Sequence, residues 1–198
     1  TMEMSCIVFE RDTRDWPVAI GLINSLSPLG FGRQMLDALM EYATWRQPVI
    51  VAAMSMTGLT APVTLAGALA MQNAELLTGI ALAQLVAPGT PVLYGSISSN
   101  VDLRTGALVV GSPEFALLLA AHAQLARFYG LPCYSTAGVA DSPVPGIQAT
   151  AEKMLTHAYV PWSGAQYIHY AFGLLERTNV FSPEQAILDD AHIGMVKE

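Results

Sequence analysis

Polar and aromatic side chains gather where apolar runs of this sequence give way to loops. They are Asn24 and Ser27, residues 54–57, Tyr94 and Ser96 with Arg104 further on, residues 135–141, and His169 with Tyr170. The set offers amide and hydroxyl hydrogen bonds, aromatic faces, thioethers and one guanidinium. It has no close pair of carboxylates for acid–base work. No serine lies in a G-x-S-x-G elbow. The four histidines, His122, His157, His169 and His192, have no metal-ligand spacing, and neither H-x-x-x-H nor C-x-x-C occurs. Such a set binds and orients a substrate, and no residue in it is marked as a nucleophile. Each member also has a packing alternative. His169 and Tyr94 fit a core, Arg104 fits a loop brace with Asp102 as well as an anion clamp, and Asp141 before Ser142-Pro143 fits a turn. Met54 and Met56 fit pocket lining, and Cys133 lies at the far end of its strand.

The elements that carry these residues alternate regularly. Continuous apolar runs at 18–24 (VAIGLIN), 49–54 (VIVAAM), 92–96 (VLYGS), 131–136 (LPCYST) and 165–171 (AQYIHYA) read as strands covered on both faces. Leu36, Leu39, Met40 and Ala43 mark a helix to about residue 46. A long Ala/Leu-rich helix is expected from Ala61-Pro62, with a break near Asn73 and an end at Pro88-Gly89. Ser112-Pro113-Glu114 opens another helix, which Gly130 closes. A fourth helix runs over 147–159. Ser182-Pro183-Glu184-Gln185 has the capping-box form and starts the last one. The long loop 97–111 is a functional candidate by its length.

Alternation of this kind implies a parallel sheet with right-handed crossovers. The fold class expected is α/β, a partial (β/α)8 TIM barrel of about five consecutive βα units. An open doubly wound sheet is the competing closure, but no G-x-G-x-x-G or P-loop follows any strand. Eight strands make a barrel, so about three are expected to lie outside this chain. Residues 1–198 are then a single barrel segment, a fragment of a longer barrel enzyme.

Composition narrows the function classes. Of 198 residues, 53% are apolar and only 13% charged, against roughly 25% charged in ordinary soluble domains. Scarce charge implies deeply buried helices or apolar surface that expects more protein, a homo-oligomer included. The net charge of −7 without a basic cluster argues against nucleic acid. The acidic start is unlike a signal peptide. The apolar run 63–86 is interrupted by Gln72, Asn73, Glu75 and Gln84, so a core helix is expected there in place of a membrane span. A cytoplasmic location follows by default.

Several long strings resemble the trimethylamine methyltransferase family of corrinoid-dependent methylamine and betaine methyltransferases. They are INSLSPLGF (23–31), the stretch 47–107 from QPVIVAAM to VDLRTGA, GSPEFALL (111–118), AQLARFYGLP (123–132), DSPVPGIQATAEKM (141–154) and IHYAFG (168–173). The resemblance implies a TIM-barrel enzyme that moves a methyl group from a methylated amine to the Co(I) of a separate corrinoid protein. It implies no cofactor bound directly, the corrinoid being carried by that partner. Tyr94, Tyr170 and the methionines then suit a substrate cation. Asn24, Ser96, Arg104, Asp141 and His169 suit polar substrate contacts. No residue is assigned a catalytic role. Trimethylamine-specific members carry pyrrolysine, and this chain has only standard residues. That favours a quaternary amine such as glycine betaine, carnitine or proline betaine. Pro143 stands where a family lysine is common, and much of the family's length is absent. A truncated or degenerate homologue acting as a binding or interaction module is the alternative reading. An aldolase-like barrel would need a Schiff-base lysine, and the only lysines are Lys153 and Lys197.

Overall fold

The computed structural model describes residues 2–10, 12–14 and 16–197. In chain order the elements are α1 (Met2–Phe9), β1 (Gly21–Asn24), α2 (Arg33–Thr44), β2 (Val49–Ala53), β3 (Met56–Thr57), α3 (Leu65–Val86), β4 (Val92–Ser96), β5 (Ser99–Asp102) and β6 (Ala107–Val109). Then come α4 (Pro113–Phe128), β7 (Cys133–Thr136), α5 (Ile147–Trp162), β8 (Tyr167–His169), β9 (Leu174–Leu175), a 3-10 turn at Glu176–Thr178, β10 (Val180–Phe181) and α6 (Pro183–Lys197).

Five strands form one sheet in the order β1-β2-β4-β7-β8, with every pair parallel. The spatial order is the chain order, so each crossover steps the same way. The helices α2 to α5 pack on these strands, and each touches the next, with α6 against α5. A helix on the opposite face would be cut off from its neighbours by the sheet, so they form one layer.

The two sheet faces differ accordingly. Ile23, Val49, Val51, Ala53, Val92, Tyr94 and Cys133 point into the helix layer and make the main core with Leu39, Leu76 and Ala126. The opposite face carries Ile50, Ala52, Leu93 and Tyr134, and its edge residues Leu22 and Tyr167 are exposed. Successive strand residues alternate between these faces.

Several sequence expectations change in detail. The first strand starts at Gly21, because the N–H groups of Val18 and Ala19 donate to Gln47 Oε1 instead of a ladder. The long helix starts at Leu65, capped by the Thr64 side chain, and runs unbroken through Asn73 to Val86. Asn73 does not break it because its amide is satisfied laterally, by Tyr94 and Tyr129. By length and composition α3 is apolar enough to cross a membrane, yet it lies on β2 and β4 between α2 and α4. The loop 97–111 contains the hairpin β5–β6, which continues as a small sheet with β3. The last strand is cut to Tyr167–His169. Only half of the capping box forms at α6: Ser182 Oγ accepts from Gln185 N, while the Gln185 amide turns to Asp189. The helix α1 has no counterpart in the sequence reading.

Gly79 lets α3 approach β2. A Cβ there would lie 2.7 Å from Val51 Cγ1 and 3.1 Å from Phe31 Cζ. Gly79→Val is expected to lower unfolding free energy by about 1–3 kcal/mol through overpacking, read as a lower urea midpoint at unchanged m-value.

Candidate functional site

The strands deliver their C-terminal ends to one edge, and buried polar side chains hold that edge together. Glu75 of α3 is buried, and its carboxylate accepts from Ser25 Oγ at 2.5 Å, Ser27 Oγ at 2.9 Å and Leu29 N at 2.7 Å. It thereby fixes the turn after β1. Ser27 Oγ meets Ser55 Oγ after β2 at 3.1 Å. Ser55 N donates to Ser98 Oγ, and Ser98 N donates to Ser96 Oγ. Ser96 Oγ donates to Gln72 Oε1 at 2.8 Å, and Gln72 Nε2 meets His122 Nδ1 at 2.9 Å. His122 Nε2 reaches the carbonyls of Tyr94 and Tyr134 at 3.2 and 3.3 Å. Carbonyls only accept, so Nε2 carries the proton and Nδ1 accepts from Gln72. Full burial pushes the His122 pKa down to about 4, against the pull of those two carbonyls.

In front of this belt lies an aromatic surface on the open face of the sheet. His169 stacks on Tyr134, with centroids 4.5 Å apart and planes 8° apart. Tyr170 tilts over His169 at 3.9 Å, and Tyr167 meets Tyr134 edge-on at 5.2 Å. His169 Nδ1 donates to the Ser135 carbonyl at 2.9 Å, which leaves Nε2 to accept from Thr136 Oγ1 at 3.2 Å. Burial lowers the His169 pKa, opposed by the Ser135 bond, so the ring is neutral near pH 7. Burial, then neighbouring Tyr170 and Tyr167, pushes the Tyr134 phenol up to about 12. Tyr170 has φ of 63°, a strained value for an aromatic residue. A cavity at the strand ends is walled by Met54, Ile97, Thr136 and Tyr170, and reaches Arg177 and Thr178. Residues 176–178 all have positive φ.

The seven residues singled out from the sequence do not form one cluster. His169 and Tyr170 meet on the aromatic surface. Asn24 ends β1, and its Oδ1 is buried without a hydrogen-bond partner among the described residues. Tyr94 and Ser96 point the other way, into the helix layer, because they share the parity of Val92. Tyr94 is buried, stacked on His122 at 4.7 Å, and donates to Asn73 Oδ1. Burial, with Tyr129 and Cys133 nearby, raises its pKa. Ser96 belongs to the belt behind the site. Arg104 lies on the exposed β5–β6 turn, where Asp102 Oδ1 accepts from its N and Nε. Asp141 is a brace: it accepts from Val110 N, Gly111 N and Arg177 Nε. Cys133 is buried under the helices, which pushes its thiol up to about 12.

Residues not singled out as site candidates from the sequence fill the gaps. Glu75, Gln72 and His122 form the belt, Tyr134 and Thr136 build the aromatic face, and Arg177 reaches the cavity. Asp189 and His192 meet His157 near the β8 loop, a grouping that sequence spacing does not signal. The Gln72-Asn73-Ala74-Glu75 interruption of an apolar helix was the available clue to the belt.

The fold and this edge define an α/β protein whose parallel strands present a polar belt and an aromatic surface at their carboxyl ends. The chain belongs to the trimethylamine methyltransferase (MTTB) family, whose sequence model matches residues 1–198. It is 46% identical over 198 residues to the glycine betaine methyltransferase of Desulfitobacterium hafniense (strain Y51), covering 99% of this chain and 41% of that protein. It is 42% identical over 189 residues to trimethylamine methyltransferase MttB of Methanosarcina barkeri (strain Fusaro / DSM 804), covering 96% and 38%. Against the proline betaine:corrinoid methyltransferase of Eubacterium limosum the identity is 36% over 179 residues, covering 90% and 37%. The chain thus spans about two fifths of the length of the curated relatives it matches.

Two stability outcomes follow from the belt. Glu75→Ala strands the three donors that its buried carboxylate holds and is expected to lower unfolding free energy by roughly 3 kcal/mol, measured by chemical denaturation. His122 stays neutral in the fold down to about pH 4, whereas in the unfolded chain it protonates near the ordinary 6.5. Stability therefore falls as pH drops from about 6.5 towards 4, with His122 contributing up to ~3 kcal/mol. A pH series of denaturation curves should be shallower in His122→Gln, the remainder coming from the buried His157 and His169.

Proposed function

We propose that this chain is the substrate-binding part of a methyltransferase that takes a methyl group from a quaternary or tertiary methylated amine and passes it to the Co(I) of a separate corrinoid protein. The five βα units are read as part of a closed (β/α)8 barrel. Support comes from the chain-order sheet, the single helix layer and the opposite face, free of helices and with exposed edge residues Leu22 and Tyr167, which is where the inside of a barrel would lie. The corrinoid is carried by the partner and not by this chain, and both act in the cytoplasm. The printed names of the relatives support methylated amines as donors and a corrinoid as acceptor.

The observation that carries the reading is the aromatic and thioether wall of the strand-end cavity. Tyr170 and Met54 offer polarisable faces to a methylated ammonium, each aromatic face contributing about 0.5–2 kcal/mol. The aromatic surface holds its rings neutral: His169 is deprotonated by burial and Tyr134 keeps its proton. Neutral rings attract a permanent cation without repelling it. Arg177 is the better candidate than Arg104 for a donor's carboxylate. It lines the cavity, and Asp141 fixes its Nε at 3.1 Å. Asn24 adds an amide at the same strand-end level.

The cobalt of the partner protein supplies the nucleophile for the methyl carbon. The chain's own task is to orient the donor so that one methyl group faces the open mouth. A quaternary ammonium leaves as a neutral amine, so the departing nitrogen needs no proton. The lack of a carboxylate pair among the strand-end residues fits that demand. The mouth is open, with Met54 and Tyr170 both about two fifths exposed (42% and 44%).

The test is donor turnover by the full-length protein with a purified Co(I) corrinoid protein, followed by the cobalt absorbance change across quaternary and tertiary amines. Turnover that needs both proteins supports the reading. No turnover with any donor, or transfer independent of this protein, contradicts it; binding without transfer would mark a non-catalytic homologue. With the preferred donor, Tyr170→Leu is expected to raise KM about tenfold. Arg177→Leu should raise KM for a carboxylate-bearing betaine but leave a carboxylate-free quaternary amine within about twofold.

A further inference from the structure

Behind the loop that carries Tyr170 lies a second polar cluster that the methyl-transfer reading does not use. It joins α5, α6 and the segment after β8. His157 is 3% exposed, and its Nε2 donates to the Ala171 carbonyl at 3.0 Å. The proton is therefore on Nε2 and the Nδ1 lone pair is free. That Nδ1 is buried without a hydrogen-bond partner among the described residues. His192 Nδ1 is also buried and unpartnered among them, with the residue 8% exposed. Asp189 is fully buried one turn before His192, and its Oδ1 lies 3.9 Å from His192 Nδ1. One donor atom from each of the three residues lies within 4.8 Å of the other two.

We propose that His157, Asp189 and His192 form a binding site for a late first-row divalent cation, zinc in the first instance. Two unpartnered imidazole nitrogens beside one carboxylate are costly when left unsatisfied in a protein interior, at about 1–3 kcal/mol each. A metal ion satisfies all three at once. Zinc–nitrogen and zinc–oxygen bonds of about 2.0–2.2 Å require the donor atoms to draw to roughly 3.3–3.5 Å apart. That is a shift of about 1 Å, within the reach of side-chain rotation.

The surroundings already have the form of an outer shell. A metal-ligating histidine donates its other ring N–H to a carbonyl or carboxylate, as His157 does to Ala171. Asp189 Oδ2 is fixed by Lys153 Nζ at 2.6 Å and by Gly173 N at 2.7 Å. Its Oδ1 also accepts from Gln185 Nε2 at 2.9 Å. A cavity lined by His157, Ala137, Ala171, Phe172 and Ile193 gives an ion a route in. The donor set selects the metal. Two imidazoles and one carboxylate suit zinc or cobalt, whereas magnesium and calcium want oxygen ligands. Lys153 beside the carboxylate disfavours hard cations held by charge alone.

The site's place gives it a role. Ala171 and Gly173, which flank the loop after Tyr170, are bonded to His157 and Asp189. An ion drawing α5 and α6 together locks that loop.

The test is Co(II) titration of the full-length protein after chelator treatment. The expected result is one equivalent bound, with the visible d–d bands of a nitrogen/oxygen tetrahedral site, displaced by Zn(II) and not by Mg(II). Zn(II) should also raise the Tm. His192→Gln should weaken Co(II) uptake at least tenfold while circular dichroism stays native. No stoichiometric uptake by the wild-type protein overturns the proposal, however the variant folds. Unchanged uptake in a folded His192→Gln, or equal uptake of Mg(II), also overturns it.

Discussion

The structure depends on one constraint: where the strands of a covered parallel sheet give way to turns, backbone donors and acceptors need partners. Glu75 and His122 meet that need from the helix side. Glu75 gathers the turn after β1, and His122 ties the carbonyls of β4 and β7 together. Between them Ser27, Ser55, Ser98, Ser96 and Gln72 link the turns into one belt. The aromatic surface and the cavity stand on the open side of this belt, and their positions follow from it.

The order of elements was legible because each strand is a short β-rich run bounded by breakers, as in VIVAA after Pro48 and VLYGS after Pro91. Which way each strand residue points was not. A strand covered on both faces carries apolar residues at every position, so alternation leaves no trace in the sequence. Choosing residues by their place at a strand end thus selected Tyr94 and Ser96 along with His169, although the first two face the helices. Their open-face neighbour Tyr134 went unselected for the same reason, and Thr136 was included only within the stretch 135–141.

The loop residues teach a different lesson. Arg104 and Asp141 are polar residues in long loops, and both are used up by local structure. Asp102 holds Arg104 in a hairpin turn, and Asp141 clasps two backbone amides and Arg177. Arg177 itself sits in a short segment of positive φ that no sequence rule anticipates for Glu-Arg-Thr. The polar interruption of α3 was visible as an anomaly. Its meaning emerged only when Gln72, Asn73 and Glu75 met partners from β1, β4 and α4. One buried ion pair, Lys153 with Asp189 at 2.6 Å, joins α5 to α6.

The central claim is that the strand-end cavity selects a permanent cation by its aromatic and thioether walls. The most direct measurement is calorimetric titration of the full-length protein with trimethylglycine and with 3,3-dimethylbutyrate, which has the same shape with carbon in place of the ammonium nitrogen. The betaine is expected to bind at least tenfold more tightly, about 1.4 kcal/mol, since shape and carboxylate are shared and only the charge differs. Equal affinity for the two ligands, or preference for the neutral-headed one, would contradict it.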